Sequence, residues 1–246
     1  RVYWMKGDLD SARIYADKVI RSNKFRFASK TSLNTFMQKT VSMEETIWGL
    51  YNAEVYSDWL TQHVRRQGLG DLTTDFKSIY AYEGPTGKKD YRLDNWFGTY
   101  NRSGTPVDIL VKVMGNVSDT TSLTTSYNGG PYLGTSMIRI PEMYYIMSEA
   151  LLATGNAEGA MEYLDAVVDA RGMEKFADRT PLVDITLSDI MAERRKEFIG
   201  EGQWWFCLKR LNSPVKLSGA TGATIPGSDK IYVLPLPVEE EDYRPE

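Results

Sequence analysis

Residues 139–210 constrain the fold of this chain most strongly, because their apolar residues follow a helical period. The first part has apolar residues at i, i+3, i+4, i+7 and i+8, which form one face of an α-helix; they are Met143, Ile146, Met147, Ala150 and Leu151. After a Gly155-Asn156 turn, the spacing recurs in Ala160, Leu164, Val167 and Val168. A small residue just past a short turn lets two antiparallel helices approach closely. The pattern predicts a helical hairpin.

The turn and second helix of this hairpin have a counterpart at the start of the chain. The two copies are Gly7-Asp8 with Ala12 and Tyr15, and Gly155-Asn156 with Ala160 and Tyr163. Glycine permits the turn, alanine allows the close crossing and tyrosine fills the groove, as in a tetratricopeptide-type unit. Such units follow one another at roughly 34 residues. These copies are separated by far more, so the sequence predicts a long insertion between them.

The predicted insertion, residues 51–136, combines loop-forming residues with many aromatic rings. Just before it, Ile47 and Gly49 alternate with Trp48 and Leu50, so that the two pairs point to opposite sides. This alternation predicts a short strand. Within the insertion we expect a short helix from Thr74 to Tyr80 and a strand from Val107 to Val113. Loops rich in both glycine and aromatic residues are where ligand contacts usually lie.

A third helix is predicted to begin at Thr186 with a capping-box-like start and to carry charged and aromatic residues as far as Arg210. Its charged positions are Glu193, Arg194, Arg195, Lys196, Glu197 and Glu201. Closely spaced charges of both signs pair with each other or with Glu142 and Glu149 on a neighbouring helix. We therefore interpret them as structural ion pairs. The later run from Ile231 to Pro237 predicts an extended segment.

Together these patterns predict a mainly α fold, with tetratricopeptide-like helical hairpins, a long loop-rich insertion and a few short strands. We expect one domain over residues 1–246, truncated at its N-terminus. Its parts are a helical hairpin remnant (1–50), the insertion (51–136), and a segment with the second hairpin, the third helix and the C-terminal run (137–246).

Composition argues against several functional classes. The formal charge is −4 and the basic residues are dispersed, which disfavours nucleic acid and anionic membranes as partners. With one cysteine, Cys207, and one histidine, His63, the sequence predicts no disulfide, metal site or cofactor. A lone histidine also argues against a Ser-His-Asp triad. A carboxylate pair for glycoside hydrolysis stays open, because the chain has 33 acidic residues and no motif singles out two of them.

Several motifs, in order and spacing, resemble the SusD/RagB family. They are Arg139-x-Pro141-Glu142-Met143-Tyr144, Ser148-Glu149-Ala150, Gly155-Asn156, Ala160, Leu164-Asp165-Ala166-Val167, Arg171-Gly172, Glu193-Arg194-Arg195-Lys196-Glu197-Phe198, Glu201-Gly202 and Trp205-Phe206-x-Leu208-Lys209-Arg210. Asp90-Tyr91-Arg92-Leu93 and Leu234-Pro235-Leu236-Pro237 also look like segments of that family. The resemblance covers most of the chain.

The resemblance implies a protein that is not an enzyme and binds an oligosaccharide or polysaccharide at the bacterial cell surface. It implies delivery of that glycan to a SusC-like TonB-dependent transporter. The implied location is the outward face of the outer membrane, with a lipid anchor on an N-terminal part that is absent here. Two alternatives stay open: a peptide-binding or protein-interaction tetratricopeptide-type scaffold, and a glycoside hydrolase.

The aromatic insertion supplies the candidate ligand-binding residues. Sugar rings pack their C–H faces on aromatic side chains, while their hydroxyls need polar partners. Side chains of this description are Trp59, Tyr82, Trp96 and Tyr100, with Asn101 and Arg102. For Trp96 a place in the core is an equally good interpretation, because it follows the family-like Asp90-Tyr91-Arg92 segment.

Overall fold

The computed structural model describes residues 1–33, 44–50, 79–80, 86–102, 104–110, 112, 135–216 and 223–233. For Tyr100, Arg102 and Ile109 it describes the backbone alone. Contacts within the chain define two compact units, residues 1–201 and residues 202–246. Most of the predicted helix from Thr74 to Tyr80 lies outside the described residues.

The first unit is mainly helical, which confirms the predicted fold class. Its helices are α1 (Val2–Met5), α2 (Leu9–Arg21), α3 (Lys30–Leu33), α4 (Tyr91–Trp96), α5 (Ile140–Ala153), α6 (Ala157–Ala170) and α7 (Leu187–Glu197), with a short 3-10 turn at Phe176–Asp178. Within the described ranges, no helix is long and apolar enough to cross a membrane.

Helix α5 is the centre of the first unit, because it packs against α2, α6 and α7. Its residues from Ile140 to Ala150 are buried, with one exception at Tyr144. A helix that is apolar around most of its circumference has to lie inside the protein. The Ser148 hydroxyl donates to the Ala160 carbonyl at 2.7 Å, which fixes α5 against α6. The helical hairpin predicted for this stretch is therefore confirmed.

Both predicted turns have the same backbone form. Gly7 has a φ of 77° and Gly155 a φ of 81°, a left-handed conformation that glycine adopts with little steric cost. The next residue caps the following helix: the side chain of Asp8 accepts from the Ser11 amide, and that of Asn156 from the Gly159 amide.

The tyrosines at equivalent positions of the two hairpins also behave alike. Tyr15 stacks on Tyr3 with ring centroids 5.3 Å apart, and Tyr163 packs on Tyr144 at 5.9 Å. Each ring therefore packs on a tyrosine of the preceding helix, although Tyr15 stays 52% exposed and does not fill a groove.

The strands of the first unit form two antiparallel pairs. Strand β1 (Thr46–Leu50) pairs with β4 (Thr135–Arg139), and β2 (Phe97–Arg102) pairs with β3 (Thr105–Leu110). The first pair stands where the chain enters and leaves the insertion. The second is a hairpin within the insertion, and α4 runs directly into it.

The second unit contains α8 (Gln203–Arg210), a small pair of strands, β5 (Val215–Lys216) and β6 (Thr224–Ile225), and α9 (Asp229–Tyr232). Two sequence predictions are wrong here. The third helix does not continue to Arg210, because Gly200 and Gly202 adopt left-handed φ values of 76° and 69° and end it. The segment from Ile231 is not extended at its start, because Tyr232 completes α9 and its hydroxyl bonds the Ser213 carbonyl.

Candidate functional site

The structure places one predicted ligand-binding ring, Trp96, in the hydrophobic core. Its side chain is 0% exposed and packs with Ala28, Leu33 and Leu110. A buried ring has no free face on which a sugar could stack. The assignment of Trp96 as a ligand contact is therefore wrong, and its role is structural.

Three other predicted residues, Tyr100, Asn101 and Arg102, lie together at the end of β2. The pairing runs from Phe97↔Leu110 at the root to Arg102↔Thr105 at the tip. Asn101 is exposed there. The predicted residues Trp59 and Tyr82 lie outside the described residues, so their assignment stays a prediction.

An exposed ring that the site prediction missed is Trp48 on β1. Its side chain is 51% exposed, and that of Leu50 on the same strand is 49% exposed. The alternation in the sequence places Trp48 and Leu50 on the opposite side of the predicted strand from Ile47. It does not show which side is exposed to solvent. Trp48 lies three residues before residue 51, where the predicted insertion begins, so its exposed indole stands at the insertion's entrance.

The first root of the insertion, the β1–β4 pair, is fixed by hydrogen bonds at its base. The Ile140 amide donates to the Glu45 carbonyl at 2.8 Å. The hydroxyls of Thr46 and Ser136 are 2.8 Å apart. Gly49 lies so close to β4 that a Cβ there would be 3.1 Å from the Thr135 carbonyl oxygen. The backbone on either side of Trp48 is therefore fixed by the scaffold.

A buried ion cluster centred on Glu197 joins this root to the helices. Arg139 Nη1 donates to Glu197 Oε1 at 2.7 Å, and Arg171 Nη2 donates to the same oxygen at 2.8 Å. Arg92 Nη1 approaches Glu197 Oε2 at 3.3 Å. Glu45 binds Arg139 at 2.7 Å and Arg171 at 2.8 Å. These side chains are fully buried.

A second branch of the cluster holds α4 and the hairpin that follows it. Arg92 pairs with Asp90 at 2.8 Å and with Glu193 at 2.7 Å. Glu193 in turn binds Lys196 at 2.6 Å.

Glu201 adds a further connection, because it binds Arg139 at 2.6 Å and Lys112 at 2.6 Å. Both roots of the insertion are thus tied to the C-terminal end of α7.

Burial opposes ionisation of Glu197, but Arg171 and Arg139 outweigh it and hold its pKa well below the ordinary value. The same balance, with Arg92 and Lys196, lowers the pKa of Glu193. A general acid or base has to lie within hydrogen-bond reach of its substrate, and these carboxylates are buried among their cationic partners. The cluster therefore suits a structural role, and the predicted ion pairing of the third helix is confirmed.

A separate group of charges fixes α1 to α5 and α7. Arg194 pairs with Glu142 at 3.0 Å and lies over the Trp4 ring, 4.3 Å from its centroid. The indole nitrogen of Trp4 donates to Glu149 at 2.6 Å. Glu142 is therefore a partner of the charged helix, as predicted, and Glu149 accepts a hydrogen bond from α1.

A small surface pocket lies in the loop before α7, with a volume of about 200 Å³. Its lining residues are Phe176, Arg179, Pro181, Val183, Asp184 and Asp189. Typical small-molecule sites are larger, at roughly 300 Å³ or more. Asp189 already accepts hydrogen bonds from Thr186 in the α7 capping box.

Across the described segments, no group of His, Cys, Asp and Glu side chains could hold a metal ion.

The resemblance to the SusD/RagB family is confirmed, because residues 113–224 match the sequence model of the SusD family. This segment contains Arg139, Arg171, Glu193, Glu197 and Glu201 of the ion cluster. No curated protein sequence matches the chain.

Solved structures share this fold. A SusD superfamily protein from Bacteroides thetaiotaomicron is 23% identical, with a TM-score of 0.72, and the match covers 99% of this chain and 56% of that one. A SusD-like carbohydrate binding protein from Bacteroides vulgatus is 18% identical, with a TM-score of 0.66, covering 95% and 54%. The surface glycan-binding protein A from Bacteroides uniformis is 19% identical, with a TM-score of 0.62, covering 89% and 48%. The chain spans about half the length of these proteins.

Proposed function

We propose that this protein binds an oligosaccharide or polysaccharide without changing its bonds, and that the binding surface lies on the insertion. The observation that carries the proposal is the 51% exposed indole of Trp48, held by β1 at the insertion's entrance. An exposed ring is the side chain on which a sugar face packs. The hairpin tip, with Asn101 exposed, supplies the kind of polar group that sugar hydroxyls need.

The comparisons support the same class of ligand. Residues 113–224 match the SusD family, and two proteins of similar fold are described as carbohydrate binding and as surface glycan-binding. By the same analogy, we propose that the protein acts at the bacterial outer membrane, where a lipid anchor would hold it. Its partner there would be a SusC-like TonB-dependent transporter, which receives the glycan.

The mechanism would be capture by a preorganised surface. Binding is weakened when flexible groups have to be ordered on contact with a ligand. Here the β1–β4 pair is held by Glu45, Arg139 and Glu197, all of them fully buried. A ring on this support keeps its position before the glycan arrives. The carboxylates of the described ion cluster are paired with cations, which favours glycan binding over glycan hydrolysis.

The experiment is affinity gel electrophoresis against separate gels that contain laminarin, starch, xylan or pectin. We expect at least one polysaccharide to slow the wild-type protein. An aromatic stacking contact contributes roughly 0.5–1.5 kcal/mol, so Trp48→Ala should lose most of this retardation. Trp59→Ala should also lose it, if the predicted ring in the insertion contributes.

The matched control is Trp205→Ala, because Trp205 is a comparably exposed tryptophan, at 44%, outside the insertion and its strands. It should be slowed like the wild type. Retardation by no polysaccharide, together with binding of peptides, would favour the interaction scaffold. Release of shorter sugars from any polysaccharide would favour the glycoside hydrolase.

A further inference from the structure

The root of the β2–β3 hairpin contains a buried lysine, Lys112, which is 3% exposed. Its amide donates to the Trp96 carbonyl at 3.2 Å, just beyond the last strand pair, Phe97↔Leu110. Lys112 therefore stands where the hairpin leaves the core. The tip with Asn101 is at the opposite end of the two strands.

The ammonium of Lys112 is directed at the C-terminal end of α7. It donates to the Glu197 carbonyl at 2.7 Å and to the Ile199 carbonyl at 3.3 Å, and it binds Glu201 Oε1 at 2.6 Å. The nitrogen also lies 4.0 Å from the centroid of the Trp96 ring. One charged group thus connects the hairpin to the turn that follows α7.

This placement is not the most stable one for an ammonium group. Burial lowers the pKa of Lys112 to about 8, although Glu201 opposes the shift. Removing one member of a buried ion pair is destabilising because it leaves an uncompensated charge, so the cost is smaller where the remaining partners keep other donors. Two of its three polar partners keep another donor in Arg139, which binds Glu201 at 2.6 Å and donates to the Glu197 carbonyl at 2.9 Å.

The contacts of the Lys112 ammonium join the root of the hairpin to the end of α7, so their contribution is geometrical. We infer that Lys112 is a positioning residue, whose ammonium fixes the β2–β3 hairpin against the end of α7 and so directs the hairpin tip toward the ligand. The other attachment of the hairpin, Arg92, acts at α4, on the preceding side. Because the hairpin is attached through α4 on one side of its root and through Lys112 on the other, it cannot pivot about a single contact. The link to a ligand rests on the proposed function.

The test compares Lys112→Met with the wild type by hydrogen–deuterium exchange and thermal unfolding. Methionine keeps the packing of the side chain on Trp96 and removes the ammonium. We expect amides of residues 97–110 to exchange about tenfold faster, while those of α5 and α6 stay unchanged and the unfolding temperature falls only slightly. Lys88→Met is the matched control, because Lys88 is 43% exposed and makes a 3.8 Å surface pair with Asp169.

The same variants are then run on gels with laminarin, starch, xylan or pectin. We expect the apparent Kd for a retarding polysaccharide to rise about tenfold in Lys112→Met and to stay unchanged in Lys88→Met. Unchanged hairpin exchange, a large fall in unfolding temperature, or unchanged affinity beside faster exchange would each overturn the inference. Faster hairpin exchange in a protein that no polysaccharide slows would uphold the positioning role and remove the proposed ligand.

Discussion

Individual tryptophans show what decides between core and surface in this protein. Trp96 and Trp48 both lie beside polar and aromatic neighbours in the sequence, yet one is 0% and the other 51% exposed. Trp96 is covered by Leu33, Leu110 and Lys112, which come from other segments of the chain. A local pattern contains no information on such distant neighbours. The burial of Trp96 could therefore not be separated from exposure by sequence alone.

Glu197 is the residue whose charge matters most for the folded state. In Glu197→Gln the guanidinium groups of Arg139, Arg171 and Arg92 lose their shared negative partner while still buried. Loss of one partner from a buried ion pair costs about 3–5 kcal/mol. We expect that decrease in the free energy of unfolding, measured by urea denaturation. Glu158→Gln, at an exposed position of α6, should change it little, and an equal effect of both variants would contradict the role of the cluster.

Acid should destabilise the protein through the same carboxylates. The pKa values of Glu142, Glu193 and Glu197 are lowered in the folded state from an ordinary value of 4.5. The unfolded chain therefore takes up protons first as the pH falls. The stability they provide is present above pH 4.5 and is lost progressively below it.

The measurement is the free energy of unfolding at a series of pH values from 7 downward. We expect a plateau at the neutral end and a steep fall on the acid side, with a smaller fall in Glu197→Gln. A profile that is flat on the acid side of pH 4.5 would contradict the assigned shifts.

At the level of elements, the two helical hairpins were the most predictable part of the fold. Their apolar spacing, glycine turns and capping residues are all local features, and each specifies the same structure. The break between α7 and α8 was missed, because the charged and aromatic residues on both sides suit a helix. The helix is ended by Gly200 and Gly202, whose backbone is in the left-handed region. The β2–β3 hairpin was predicted in part, since the expected strand from Val107 overlaps β3.

The equivalence of the two turns can be tested by Gly155→Ala and Gly7→Ala. No atom lies within 4 Å of a Cβ placed at either position, so the cost comes from the left-handed backbone alone. We expect each variant to lose about 1–2 kcal/mol of unfolding free energy, because an L-residue adopts this conformation poorly. Denaturant unfolding of both variants checks this. A clear difference between them would contradict the structural equivalence of the hairpins.

Across the first unit as a whole, the ion cluster links segments that are far apart in sequence. Arg171 and Glu45 are 126 positions apart, and Arg139 and Glu45 are 94 apart. The motifs that resemble the SusD/RagB family contain many of these residues. However, charged residues without a regular spacing do not reveal which of them form ion pairs. The sequence therefore indicates that the charged helix is structural, but it does not reveal the parts played by Glu45 and Lys112. That the ligand surface lies on the insertion stays a prediction.

The central claim is that the protein holds a glycan and leaves it intact. The most direct measurement incubates the protein with a polysaccharide that slows it in affinity gels, separates the bound fraction and analyses the recovered glycan by mass spectrometry. The account predicts retention of the glycan with its chain length unchanged, and weaker retention by Trp48→Ala. Recovery of shortened oligosaccharides, or equal retention by the wild type and Trp48→Ala, would contradict it.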